Sequence, residues 1–262
     1  MRGRVVRQFL FLATVLTCCT FLFSQQAAPD LNQILFQMEV ARSRTKVTEP
    51  FLVTREYRMF HGDEPQPTSE VKAEINVVPP NEHDYKILES KGSGRGEKVV
   101  RKILDHESQA EKKSPPPTAI VRENYDFGFD REENFQGARC YVLFLHPKRE
   151  DTSLVNGRAW VDANSFMIRK VEGEMAKSPS WWVKDVRLSV QFGEISGVWT
   201  QTATDAVAEV RWLGKYKVNG RATKLETVID LATNRPQKKT SPRNRYNFPA
   251  EMVYGPGAMG RP

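Results

Sequence analysis

Apolar and polar positions alternate along this chain with two different periods. After Pro29-Asp30, Leu31, Ile34, Leu35, Met38 and Ala41 recur at i, i+3, i+4, i+7 spacing, with Asn32, Gln33, Gln37 and Glu39 on the other side. That is the stripe of an amphipathic helix. Asp30 suits its N-cap, Arg42 and Arg44 suit the negative end of its dipole, and Pro50 closes the segment. Beyond Pro50 the period becomes two. Val71, Ala73, Ile75 and Val77 alternate with Lys72, Glu74 and Asn76; Val186, Leu188, Val190 and Phe192 alternate with Asp185, Arg187, Ser189 and Gln191. Thr223, Leu225, Thr227, Ile229 and Leu231 repeat the pattern. Such runs predict half-buried antiparallel strands with one wet face.

Further strands are expected near 51–60, 84–90, 119–127, 139–146, 158–163, 166–174, 197–203 and 206–214. Turn signals stand at Pro65/Pro67, Pro79-Pro80, Asn156-Gly157, Gly193 and Asn219-Gly220. A second helix is expected over 96–111, lined by Val99, Val100, Ile103 and Leu104 and stopped by Pro115-Pro116-Pro117. The order is helix, three strands, helix, then about eight strands without crossover helices, which excludes a parallel α/β sheet. A twisted sheet of about ten strands must curl, split or close. The expected fold is therefore mainly β (α+β). A large curled antiparallel sheet forms an unclosed β-barrel, with the N-terminal amphipathic helix and the second helix on its concave side.

Such a trough makes an apolar cavity. Its candidate lining is Leu31, Ile34, Leu35 and Met38 from the helix, with Val142, Phe144 and Trp160 from the strands. The run Cys140–Leu145 is apolar on both faces and needs cover on both sides, so it belongs in the middle of the sheet. Trp181 and Trp182 are adjacent, and adjacent strand residues point to opposite faces. Two readings follow: a rim role in ligand or membrane contact, or two core tryptophans straddling a covered sheet.

Composition adds the compartment. Of 262 residues, 39% are hydrophobic and 27% charged, which excludes a disordered polymer, a collagen-like fibre and a polytopic membrane protein. Residues 1–24 carry Arg2, Arg4 and Arg7 and no acid, then an apolar run from Phe9 to Phe23, and read as a secretory signal peptide. The run falls short of the roughly 20 residues that span a bilayer comfortably. Membrane anchoring by an uncleaved leader, or by a lipidated Cys18, is the alternative. Val15-Leu16-Thr17-Cys18 loosely resembles a lipobox, but Thr17 stands where a smaller residue is usual and the apolar run continues through Phe23. Cleavage near Ser24 to Ala28 is favoured, giving a periplasmic or secreted protein whose remaining thiol is Cys140.

The formal charge is +7. Residues 233–262 hold six cations against Glu251, with several Pro and Gly, and read as a disordered basic tail. Removing that net +5 and the three leader cations leaves the body, residues 25–232, near −1. Nucleic-acid binding by the body is disfavoured, since it needs a basic face. The tail is either a solvated arm or a weak contact to anionic lipid headgroups.

Catalytic patterns are sparse. His61, His83, His106 and His146 stand alone, without a second ligand at helical or hairpin spacing. Neither G-x-S-x-G nor H-E-x-x-H occurs. Cys140 with His146 suggests a thiol nucleophile, but Cys140 lies in an apolar run and reads as a small core residue. Gly92-Ser93-Gly94-Arg95-Gly96 sits where a phosphate loop would, lacks the full motif, and reads as a hinge. Asp162, Glu172 and Glu174 suit turn and strand-surface hydrogen bonds rather than an acid/base pair. No catalysis, cofactor or metal is expected.

The hairpin Trp160-Val161-Asp162 … Ile168-Arg169-Lys170-Val171-Glu172-Gly173, the preceding Tyr141–Lys148 strand, and a leader followed by an amphipathic helix resemble the outer-membrane lipoprotein-sorting (LolA/LolB-like) half-barrels and the related MucB/RseB sensor domains. The resemblance covers about residues 30–232. It implies an unclosed barrel of about eleven strands plugged by helices, whose cavity holds acyl chains of lipids or lipoproteins without catalysis. The helical segment 92–113 and the basic tail depart from that pattern. The function expected is an exported, non-catalytic lipid- or lipoprotein-binding protein in envelope lipoprotein sorting or lipid transport; the alternative is an envelope-stress sensor or scaffold domain binding a protein partner, and a hydrolase on an unrecognised β-fold stands third. Ligand and oligomeric state are left open.

Overall fold

The computed structural model describes residues 30–45, 47–79, 82–111 and 118–227. The expected signal peptide, Cys18, the Pro115–Pro117 stop and the basic tail lie outside them.

Helix α1 (Leu31–Arg44) begins where Asp30 Oδ1 accepts the Asn32 amide at 3.0 Å. This is the side-chain cap that satisfies a first-turn donor. Ile34, Leu35, Met38 and Ala41 are its buried residues, the face that the spacing predicts. Ten strands follow: β1 (Phe51–His61), β2 (Ser69–Val78), β3 (Glu82–Gly92), then, after helix α2 (Gly94–Glu111), β4 (Tyr125–Phe135), β5 (Ala138–Pro147), β6 (Val155–Asp162), β7 (Ile168–Met175), β8 (Val183–Ile195), β9 (Val198–Val210) and β10 (Gly214–Thr227).

All ten form one antiparallel sheet in the order β3-β2-β1-β10-β9-β8-β7-β6-β5-β4. It is a meander from β4 to β10 whose last strand returns to pair with β1. The outer strands β3 and β4 do not pair with each other, so the barrel is not closed.

Both helices cover one face. Across the sheet, Leu143, Ala159, Val171, Val190, Thr204, Gly220, Tyr57 and Val71 oppose one another in successive pairs. Directly opposed residues share a face. Leu143 packs with Ile34, Leu35 and Met38 of α1, and Tyr57 and Val71 pack with Val100 and Leu104 of α2. Thus α1 covers the β4–β6 half and α2 the β1–β3 half of the same surface.

The strand expectations differ from the structure at glycines. Asn156-Gly157, Gly193 and Asn219-Gly220 read as turns, yet all lie inside strands. A Cβ on Gly157 would collide with the Glu172 carbonyl and with Gly173 on β7. One on Gly220 would sit 3.1 Å from the Tyr57 ring. These glycines permit close approach rather than reversal. Strands expected at 197–203 and 206–214 are one strand, β9. The expected strand at 119–127 begins only at Tyr125, because the Asn124 and Tyr125 amides both donate to the Val121 carbonyl at 3.0 Å in a turn. The Gly92–Gly96 hinge is a packed joint: Ser69 Oγ donates to the Ser93 carbonyl at 2.9 Å, and a Cβ on Gly96 would collide with Ser69.

Candidate functional site

A cavity of ≈ 290 Å³ lies between α1, the 118–123 segment and the sheet. Its apolar lining comes from Leu35 and Met38 on α1, Ile120, Phe127 on β4, Phe166 and Ile168 beside β7, Phe192 on β8 and Trp199 on β9. Glu39, Arg42, Arg122 and Glu123 supply its charged rim. The volume is at the lower end of ligand pockets, roughly 300–1,000 Å³.

Each wall has a local cause. Burial of Ile34, Leu35 and Met38 holds α1 down at about 1.5–3 kcal/mol per side chain. The 118–123 wall is set by Asn124, which is buried. Its side-chain amide donates to the Ala119 carbonyl at 2.8 Å, and its oxygen accepts from Arg149 Nη1 at 2.8 Å. Arg122 Nη2 reaches Asn32 Oδ1 at 3.1 Å and ties that wall to α1. The Phe166–Ile168 wall hangs on Asp162, only 3% exposed. Its carboxylate accepts the Asn164 and Ser165 amides at 2.9 and 2.8 Å and Arg169 Nε at 2.6 Å. Burial alone would raise the Asp162 pKa. The Ser165 amide, Arg169 and the Asn164 amide outweigh it and hold the carboxyl below its ordinary value.

The structure separates the residues that the sequence nominated. Leu35 and Met38 line the cavity, Ile34 is buried beneath α1, and Leu31 packs beside them. Val142, Phe144 and Trp160 are corrected to the opposite face. Val142 and Trp160 cluster there with Cys140 and Phe135, and the Arg158 guanidinium lies 4.9 Å from the Phe144 ring. Period two requires this, since Tyr141 and Leu143 already point at α1. Trp181 and Trp182 are exposed on the β7–β8 connection, away from any core. The lining residues that the sequence missed, Phe166, Phe192 and Trp199 among them, come together only through pairing of distant strands.

Cys140 is buried, and burial, then the Asp162 charge, push its thiol up rather than toward a thiolate. It and His146 lie six residues apart on one strand, about 20 Å along the chain. No three His, Cys, Asp or Glu side chains converge among the described residues. No helix among them is long and apolar enough to cross a membrane.

The opposite half holds charge instead of space. Arg55 Nη1 donates to Glu107 Oε2 of α2 at 2.9 Å, while Arg55 Nε and the Tyr57 hydroxyl find no hydrogen-bond partner among the described residues. Burial first, then Glu107, pushes the Tyr57 phenol up to about 12.

No protein-family model matches this chain, and no curated protein does. Solved structures resemble it at low identity. A DUF1329 family protein from Desulfovibrio piger is 12% identical over 77% of this chain and 95% of its own, with a TM-score of 0.41. A domain assigned to outer membrane lipoprotein sorting from Vibrio parahaemolyticus is 12% identical over 76% and 94%, TM-score 0.40. A LolA superfamily protein from Nitrosomonas europaea is 12% identical over 76% and 94%, TM-score 0.38. These are likenesses of backbone layout.

Proposed function

We propose that the chain is an exported, non-catalytic binding protein that holds an acyl chain of a lipid or lipoprotein between α1 and the sheet. The observation that carries this reading is the α1 cavity itself. Its floor is apolar, from Leu35, Met38, Phe127, Phe192 and Trp199, and its rim carries Arg42 and Arg122 with Glu39 and Glu123. A chain buried there gains about 0.8 kcal/mol per CH₂. That mixed rim gives a polar head group both donors and acceptors at the mouth. Two of the walls, α1 and the turn-rich 118–123 segment, lie outside the sheet's hydrogen-bond ladder. The leader-like residues 1–24 support export to a periplasm-like envelope, and Cys140, the free thiol among the described residues, is buried.

The test is native-lipid extraction and mass spectrometry of protein purified from its own envelope. A stoichiometric acyl lipid supports the reading; protein that emerges without lipid and takes up none on reconstitution refutes it. A second reading, a regulatory domain binding a protein partner, is favoured by the edges of β3 and β4, which pair with no further strand among the described residues and can accept an added one. A pull-down whose product is lost when β3 is interrupted with proline supports that reading instead.

A further inference from the structure

The β7–β8 and β9–β10 connections lie side by side at one end of the sheet. Val183 pairs with Val210, and the Arg211 amide donates to the Trp182 carbonyl at 2.8 Å. Together they expose Trp181 at 70%, Trp212 at 82%, Leu213 at 51% and Trp182 at 38%. Trp181 and Trp212 meet edge-on with ring centroids 5.7 Å apart. The Arg211 guanidinium stands 6.0 Å from the Trp181 ring, and the Lys102 ammonium, from α2, 6.0 Å from the Trp182 ring.

Two costs are met here for a small local return, one exposed ring pair and a cation near each of two rings. Large aromatic rings face water, and Trp212 has φ 63, the left-handed region that glycine and asparagine occupy far more cheaply. Asparagine at 212 would relieve both, and local folding gains from tryptophan there only the exposed contact with Trp181. The charge pattern then indicates what covers the rings. Residues 176–183 and 210–217 contain Lys177, Arg211, Lys215 and Lys217 and no acid. Lys215 and Lys217 face Asp63 of the neighbouring turn at 3.8 and 2.7 Å. Lys102, Lys177 and Arg211 have no carboxylate within ion-pair distance among the described residues. The rings stand on the two connections at one end of the sheet.

Tryptophan favours the headgroup level of a bilayer, where its ring is buried and its N–H stays wet. Lysine and arginine beside it are attracted to anionic lipid. We propose that the Trp181–Trp182–Trp212–Leu213 tip is a docking surface for an anionic phospholipid bilayer. The proposal stands independently of what the α1 cavity holds.

The test uses the full chain and vesicles of phosphatidylglycerol and phosphatidylethanolamine with brominated acyl chains, which quench only tryptophans that enter the bilayer. Quenching of the wild type is expected, weaker on phosphatidylcholine vesicles and weakened by salt. The double variant Trp181→Ser/Trp212→Asn should lose the quenching, and its vesicle partitioning should fall by about tenfold or more. Attachment through the leader or the basic tail would not insert these rings, so the readout reports the tip. Trp212→Asn alone should melt no lower than wild type, which separates the effect from misfolding. Absent quenching on anionic vesicles, equal quenching on phosphatidylcholine, or quenching that survives the double variant overturns the proposal. So does a concentration-dependent dimer that the double variant abolishes while vesicles quench nothing, since the tip is then a protein interface.

Discussion

The two helices lie on the same face of the same sheet, yet one half is filled and the other is hollow. Under α2, Val100 and Leu104 meet Phe51, Val53, Tyr57, Val71, Ala73, Ile75 and Leu225, and the space left beside His83 and Glu107 is ≈ 10 Å³. Under α1, the cavity between helix, 118–123 segment and sheet is ≈ 290 Å³. The difference lies in what closes each half. Helix α2 is fixed at its start by the Gly96–Ser69 contact and farther along by Arg55–Glu107, over strands whose inward residues are mostly apolar, with Arg55, Ser69 and His83 as polar exceptions. Helix α1 shares its cover with an irregular segment, and the floor beyond it is lined by rings rather than filled by a third layer. A plug becomes a lid where part of its contact is with a turn.

The comparison can be broken first in the filled half. Leu104→Ala should cost about 2–5 kcal/mol in denaturant unfolding, because no neighbour can relax into the space. It should leave fatty-acid uptake unchanged, since Leu104 does not touch the α1 cavity. Uptake that falls in a folded Leu104→Ala protein would mean that the two halves share one binding volume.

Glu107→Gln leaves the inward-facing Arg55 without its counter-charge. The cost should be about 1–3 kcal/mol, below that of a fully buried pair because Glu107 is partly exposed to water. Chemical denaturation measures it, and a result within error of zero would show that the pair does not fix α2.

Asp162→Asn weakens a wall of the hollow half. It should cost about 1–3 kcal/mol near neutral pH through its loss of charge-assisted bonds to Arg169 and two amides. The folded carboxyl lies below its ordinary value. Its stabilisation is therefore fully present above the unfolded value of about 3.9 and is lost as pH falls through the folded value. The variant's stability should depend less on pH in that acid window, which denaturation at stepped pH would reveal; parallel curves would contradict the assignment.

The smallest stability change belongs to the change that fills the cavity. Leu35→Trp directs a ring into existing space and should cost only about 1–2 kcal/mol, while cutting apolar-probe uptake about tenfold or more. Melting and probe titration on the same sample separate the two effects.

Much of this layout was legible from period alone. The α1 stripe, its Asp30 cap, α2, and an unclosed antiparallel sheet without crossovers all follow from spacing and from the limits on twisted sheets. Glycine was the main source of error, because the same residue marks a turn or a close strand contact. Only the partner strand decides, as with Gly157 against Gly173 and Gly220 under Tyr57. The cavity was half legible. Helical period named Leu35 and Met38, but an apolar run such as Cys140–Leu145 does not say which parity faces the helix, so Val142 and Phe144 were assigned to the wrong side. Trp199 reaches the site through register set far away in the chain, which no local pattern encodes, whereas Phe166 is placed by the Asp162 turn.

The most direct measurement is titration of a dansyl-labelled fatty acid into wild type and Leu35→Trp under matched folding conditions. Uptake by the wild type that saturates at one equivalent, is displaced by unlabelled fatty acid and drops at least about tenfold in the filled variant is the predicted result. Uptake that does not saturate, or that Leu35→Trp leaves intact, would contradict a binding cavity under α1.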